Sequence, residues 1–410
     1  MKSRHIVFIC EELPPAPGGG VGTFVADLAP ALSALGQKVT ILGAYGKDHG
    51  WDRSRFRIYD VAKSYSTPSI AKRAARRLVR LVPEISERNR WRIIEEWTHE
   101  FHEGIARLHR EESIDVVEWH SNSGFYKQRV PGVVDVVRLH GSHFVAGNYM
   151  GEPVPIEVLN SETRTMRGIH NWIGVSEWSL RSHEEAFAVR PRRSTVILNP
   201  TDCALFKPVP ARGDELDVLY VGTLCDDKGD VRVARAANVF LKKFPRSRLT
   251  YIGREAGERV KLIYAALDPD LHARVTLTGA LSRVEVARRL QHAALMLLPS
   301  RSETFGMVYA EAMACGLPVV GGDLTAVPEV VPHGKAGLLV DPENVEQITD
   351  AVCRLLENRE LREEYGRYGR EFALANFSLE TCARRSLDFY ETCLQAEAPE
   401  RVAAPLRAAV

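Results

Sequence analysis

Apolar positions along this chain fall into short runs separated by stretches with helical spacing. Ile6–Cys10 is an unbroken apolar run, as expected of a strand covered on both faces. A glycine-rich turn follows, then a helical period near Thr23–Leu35, then another strand-like run at Lys38–Leu42. The same alternation predicts strands at Asp115–Trp119, Val133–Leu139, Asn171–Val175 and Thr195–Leu198. A second series is predicted at Asp217–Val221, Arg248–Ile252, Arg274–Leu277, Ala294–Leu298, Pro318–Val320 and Gly337–Val340. Helices fit between most of these, the pattern of parallel sheets with helices on both faces. The expected fold is therefore α/β, with two doubly wound domains facing across a cleft.

Asn199–Arg212 holds three prolines and no clear period, and is the best candidate linker. The expected division is residues 1–200 for the first domain and 207–376 for the second. Residues 377–396 would form a crossover helix returning to the first domain, and 397–410 a disordered tail rich in Ala, Pro and Arg. The helical region runs from about Asn344 to Gln395. In the first half, Trp91, Ile94, Trp97, Phe101, Ile105 and Leu108 recur at helical spacing and read as core. Residues 70–82 carry Lys72, Arg73, Arg76, Arg77 and Arg80, with Ile70, Ala74, Leu78 and Leu81 on one face. Such a basic amphipathic helix suits either an anionic membrane surface or a solvated face over the domain core.

The 410 residues favour two domains or more, and an apolar fraction of 45% is enough for two cores. A net charge of +1 gives no global field to attract nucleic acid. The 7 cysteines are scattered and contain no Cys-x-x-Cys pair, which suits a reducing compartment and argues against structural zinc. No apolar window approaches the length of a membrane span, and the apolar run at the N-terminus is too short for a signal peptide. The expectation is a cytoplasmic protein, with peripheral membrane contact through 70–82 as the alternative.

Chemistry concentrates in Ser300–Val320. Glu303 and Glu311 bracket the start of a predicted helix that follows the strand Ala294–Leu298, and Gly316-Leu317-Pro318 ends it. One acid then stands in a loop and one on a helix flank, with unpaired backbone amides between them. An anionic group flanked by hydroxyls, a sugar nucleotide, fits such a place. Pro17–Thr23 is glycine-rich and also follows a strand. It is not Gly-x-Gly-x-x-Gly and lacks the Gly-Lys-Ser/Thr of a P-loop, so a nicotinamide site is disfavoured. It reads as phosphate contact or as a tight connection. Lys228 stands in a loop after Asp217–Val221, with Asp226 and Asp227 as candidate helix caps. His140 ends the strand Val133–Leu139 and reads either as a ligand to a hydroxyl or phosphate or as a packed histidine. The pairs His99/His102 and His140/His143 lack further ligands, and Asp268-Pro-Asp270 suits a helix-end turn, so no metal is assigned.

Together these residues resemble a known family. Glu303-Thr-Phe-Gly-(x)4-Glu311-Ala-Met-Ala-Cys-Gly-Leu-Pro is similar to the Glu-x7-Glu signature of the retaining GT-B glycosyltransferases of the large family four. Gly18–Gly22, His140, Val221-Gly222, Lys228-Gly229 and Gly334–Pro342 resemble other segments of that family, so the likeness spans most of the chain. The resemblance implies two Rossmann-like domains with the donor held mainly by the second. Lys228 would bind the diphosphate, Glu311 the ribose hydroxyls and Glu303 the hydroxyls of the donor sugar. Backbone amides at Phe305, Gly306 and Met307 would assist, Gly19 and Gly20 would approach the leaving phosphate, and His140 would contact the transferred sugar. Where the family commonly has an arginine before the lysine, this chain has Thr223, with Arg254 or Arg301 as candidate replacements.

The resemblance implies a retaining hexosyltransferase that uses a UDP- or GDP-linked donor, a hydroxyl acceptor, no divalent metal and no cofactor. Glu118, His120, Asn122 and the Tyr149–Met150 loop are candidate acceptor contacts. Two alternatives stay open: a sugar-nucleotide-binding protein with lost or weak catalysis, and a glycoside hydrolase using Glu303 and Glu311 as its acid/base pair.

Overall fold

The computed structural model describes residues 2–10, 19–43, 57–61, 83–122, 124–209, 216–254 and 257–397. The predicted helix at 70–82, and almost all of the predicted tail, lie outside the described residues. The first domain is built on β1 (His5–Ile9), β2 (Lys38–Gly43), β3 (Arg57–Asp60), β4 (Val116–His120), β5 (Val134–Leu139), β6 (Asn171–Gly174) and β7 (Arg193–Val196). They form one sheet in the order β3-β2-β1-β4-β5-β6-β7, and the pairings are parallel, for example Phe8 with Ile41 and with Glu118.

The second domain holds β8 (Leu216–Val221), β9 (Ser247–Ile252), β10 (Val275–Leu277), β11 (Leu295–Leu298), β12 (Val319–Gly322) and β13 (Gly337–Val340). Their order is β10-β9-β8-β11-β12-β13, again with parallel pairing. In each sheet the strand order reverses at one place, between β1 and β4 and between β8 and β11. Open α/β sheets bind ligands beyond the carboxyl ends of the strands at such a switch point.

The unbroken apolar strands follow from coverage on both faces. Ile6 and Phe8 pack with Phe24 and Leu28 of the helix Gly20–Ala34, whereas Val7 and Ile9 pack with Phe101, Ile105 and Leu108 of the long helix Pro83–Glu112. Trp91, predicted as core on that helix, is exposed instead. It lies on an early turn of the helix, before the segment that faces the sheet. β3 was not predicted: Arg57-Ile58-Tyr59-Asp60 places charges at both ends of an edge strand, with no apolar run to mark it.

The second core surrounds β8, β11 and β12, with Phe240, Tyr309, Met313 and Leu355 among its buried side chains. The helical C-terminal region divides into Val345–Glu357, Arg359–Phe377 and Leu379–Glu397. Asn344 and Asn358 cap the first two, accepting hydrogen bonds from the amides of Gln347 and Leu361. The last helix buries Cys382, Ala383, Leu387, Tyr390 and Cys393 in the core of the first domain. The two chain crossings meet: Thr201 pairs with Ser378, and the Thr201 amide donates to the carbonyl of Phe377 at 2.7 Å. The first part of the expected linker is packed rather than loose, since Asn199, Thr201 and Phe206 are all buried.

Candidate functional site

Lys228 and Glu303 stand just beyond β8 and β11, the two strands that flank the second switch point. β8 leads through Gly222-Thr223 into a single tight turn, Asp226–Lys228, and Gly229 at φ +76° opens the helix Asp230–Lys243. Asp226 and Asp227, expected as caps, do not cap that helix; Gly229 occupies the position. Asp227 instead faces Lys228 at 3.3 Å, and Asp226 pairs with Arg301 at 2.5 Å.

The Lys228 ammonium donates to Glu303 Oε1 at 2.9 Å, to the Ser302 carbonyl at 2.7 Å and to Ser300 Oγ at 3.1 Å. Burial works to lower the lysine pKa, but the carboxylates of Glu303 and Asp227 outweigh it and raise it. The ammonium stays charged and fixed over the end of the sheet. Beyond it, Gly306 at φ +82° opens the helix Met307–Ala314, and no side chain caps that end. Its first amides are the unpaired donors of a helix start. The Phe305 ring is buried edge-on against Phe377 at 5.6 Å, so its side chain does not face the cleft. Glu311 lies one turn further on and is buried; burial pushes its carboxyl up to about 7, with Arg283 pulling it back down.

The first domain reaches this loop directly. Thr304 Oγ1 donates to the carbonyl of His140 at 2.5 Å, and Ser176 Oγ donates to the Thr304 carbonyl at 2.8 Å. His140 stands just past β5, with its ring centroid 4.3 Å from Phe24 and 5.0 Å from His120. Its Nε2 is buried with no hydrogen-bond partner among the described residues. Burial, with His120 and Arg138 nearby, holds its pKa well below the usual value, so the ring is neutral. His120 is likewise pushed down by burial, to about 3. Gly19 begins the helix Gly20–Ala34 without a side-chain cap, and a Cβ at Gly20 would meet nothing.

Glu118 needs correction as an acceptor contact. Its carboxylate is fully buried and accepts from Arg138 at 2.7 and 3.2 Å. The Tyr390 hydroxyl of the last helix also donates to it, and Arg138 donates to Ser386 Oγ at 3.0 Å. This network ties the final helix to β4 and β5 and leaves no face for a ligand. His120 is buried beside His140, whereas Asn122 is exposed. Thr223 is exposed after β8, and Arg254 is exposed after β9. The Arg301 guanidinium is engaged with Asp226 and, at 3.6 Å, with Glu343.

Sequence reasoning missed Arg283, at the start of the helix Arg283–His292. It holds Asp27 of the first domain through both carboxylate oxygens, at 2.6 and 2.5 Å, and lies 3.6 Å from Glu311. Ser282-x-x-Glu285 announces only a capped helix start, so no signal pointed there. Among the described residues, no group of three or more His, Cys, Asp and Glu side chains could hold a metal ion. Also among them, no helix is long and apolar enough to cross a membrane.

Two parallel α/β sheets, joined through a crossover helix with charged and glycine-opened loops at their switch points, define the GT-B glycosyltransferase class. Solved structures agree on the fold. Sucrose-phosphate synthase from Thermosynechococcus elongatus superposes with a TM-score of 0.74 at 21% identity, covering 96% of this chain and 100% of that one. Anabaena HepE, solved with UDP and glucose, gives 0.68 at 17% identity over 94% and 99%. The Glycosyltransferase Family 4 sequence model matches residues 18–205, and the model for Glycosyl transferases group 1 matches residues 204–372. The chain belongs to glycosyltransferase family 4. A mycobacterial relative is 28% identical over 273 residues, 62% of this chain and 70% of its own length. It is the GDP-mannose-dependent alpha-(1-6)-phosphatidylinositol monomannoside mannosyltransferase of Mycobacterium tuberculosis.

Proposed function

We propose that the chain transfers a hexose from a UDP- or GDP-linked donor to a hydroxyl acceptor with retention of anomeric configuration. The observation that carries this reading is the Lys228–Glu303 pair, 2.9 Å apart, beside the uncapped helix start at Gly306–Met307 and one turn before Glu311. Lys228 and the helix amides neutralise the departing diphosphate, the task that dominates such a displacement. Glu303 accepts from the sugar hydroxyls and Glu311 from the ribose hydroxyls. Gly19 and Gly20 approach the diphosphate from the first domain, and the neutral ring of His140 offers its unpartnered nitrogen to the transferred sugar. With charge stabilisation supplied by these groups, the reading needs neither a divalent metal nor a cofactor; the sugar nucleotide is a co-substrate.

The mannosyltransferase relative names GDP-mannose and HepE was solved with UDP, so both nucleotides belong in the first screen. A hydrolase reading suits the site less well. Each candidate carboxylate faces a cation, Lys228 for Glu303 and Arg283 for Glu311, and a hydrolase would leave the fixed Lys228 ammonium without a task. Weak catalysis is the second reading, favoured by Thr223 and by the engagement of Arg301 with acids.

The test is a donor screen that monitors free nucleoside diphosphate over a panel of saccharide, lipid-linked and small-molecule acceptors. Lys228→Ala and Glu311→Ala should lower turnover by roughly a hundredfold or more. Turnover preserved in both variants rejects the site. Donor binding without transfer to any acceptor selects the second reading.

A further inference from the structure

We propose that Arg283 is a positioning residue of the donor site, clamped by Asp27 when the domains are closed and thereby kept from occupying Glu311. The inference rests on the assignment of Glu311 as the ribose ligand. Three parts of the chain meet on this guanidinium. Asp27, on the first domain's opening helix, takes both terminal nitrogens at 2.6 and 2.5 Å. Glu311, on the second domain's donor helix, lies 3.6 Å from Nε. The ring of Phe206, where the linker enters the second domain, lies 5.2 Å below the guanidinium carbon.

Asp27 and Glu311 are both buried, while Arg283 keeps about a third of its side chain exposed. A planar fork with five donors can serve two carboxylates at once, which a lysine cannot do. In the closed arrangement the two strong bonds go to Asp27. Glu311 receives only a longer contact, so it is held near a positive charge yet keeps its oxygens for ribose hydroxyls.

When the domains part, Asp27 leaves with the first of them. The guanidinium then turns its free nitrogens to Glu311, the carboxylate left beside it, and closes that acid to the nucleotide. Closure thus converts Arg283 from a competitor into a supporting charge. The charged groups that face Arg283 are Asp27, Glu311 and Asp202; those that face Glu311 are Arg283 and Asp27. Burial raises the Glu311 carboxyl to about 7 and Arg283 opposes that rise, so removal of the arginine should be visible as a pH shift.

Calorimetric titration with UDP and GDP from pH 6 to 9 tests this on the full chain. Asp27→Asn should weaken nucleotide binding roughly tenfold, because the freed guanidinium engages Glu311. The Asp27→Asn/Arg283→Gln double variant should regain part of that loss. Arg283→Gln alone should move the midpoint of the pH dependence upward, and Arg283→Lys should hold it near the parent value. A double variant that binds no better than Asp27→Asn, with an unchanged midpoint in Arg283→Gln, overturns the proposal.

If the parent binds neither nucleotide, the sugar-nucleotide reading fails on its own. The clamp is then judged by small-angle scattering. Asp27→Asn, Arg283→Gln and the double variant should all expand equally; unchanged or additive expansion rejects the clamp.

Discussion

Replacing Gly306 by alanine probes the backbone that presents the amides proposed to meet the donor. Gly306 sits at φ +82°, and an added Cβ would lie 2.4 and 2.6 Å from two carbons of the Tyr309 ring. That ring is fully buried, and its hydroxyl donates to the Leu298 carbonyl at 2.7 Å, so it cannot swing aside without losing the bond. A left-handed backbone costs an L-residue about 1–2 kcal/mol, and overpacking a closed core costs about 1–3 kcal/mol more. The sum, roughly 2–5 kcal/mol, corresponds to a fall of roughly 4–20 °C in the melting of a domain of this size.

Scanning calorimetry reads this directly, with nucleotide titration as the functional measure. Gly334→Ala is the control: its φ is +70° and its Cβ would meet nothing within 4 Å, so it bears the backbone cost alone. Gly306→Ala should melt well below that control and bind nucleotide more weakly, because Glu303 and Met307 flank the displaced peptide. A melting point within about 2 °C of the control would refute the packing argument.

Glu118→Gln leaves Arg138 charged and buried beside a neutral partner and should cost about 3–5 kcal/mol. Urea unfolding checks it, and a loss under about 1 kcal/mol contradicts the network. Glu311 has a folded pKa of about 7, above its unfolded value. The folded state therefore holds its proton longer, and this group's contribution to stability falls as pH rises from about 4.5 to 7. At about 1.4 kcal/mol per pKa unit the ceiling is about 3 kcal/mol. Glu311→Gln should gain on the parent between pH 5 and 8 in denaturant titrations; a difference that does not change with pH rules this out. Thr304→Val removes the donor to the His140 carbonyl and should lower stability by only about 1 kcal/mol. It should reduce turnover more than donor affinity, and unchanged steady-state kinetics would deny the contact a role in alignment.

The strands were legible because burial on both faces leaves short apolar runs set between helical stretches. Gly337–Val340 was predicted to the residue, and most others to within one or two at each end. β3 was missed because an edge strand needs little burial and carries charge. The candidate site could be located along the chain because Lys228, Glu303, Gly306 and Glu311 fall within short segments that follow strands. Contacts between distant segments were not. Glu118 and Arg138 pair across neighbouring strands, and Tyr390 joins them from the far end of the chain; in one dimension Glu118 reads as a polar residue open to ligand. Arg283 is hidden for the same reason, since its partner Asp27 lies on an amphipathic helix in the other domain. Patterns along a chain report burial, and which charges meet is decided by how the domains are set against each other.

The junction of Thr201 with Ser378 has a mechanical consequence. With both crossings pinned side by side, any opening of the halves would be a swing about that point rather than a free slide. Clearance would then grow with distance from the pin, so atoms close to it would travel little while the outer mouth sweeps wide. A modest swing would then widen the outer mouth while barely disturbing the parts of the molecule nearest the axle.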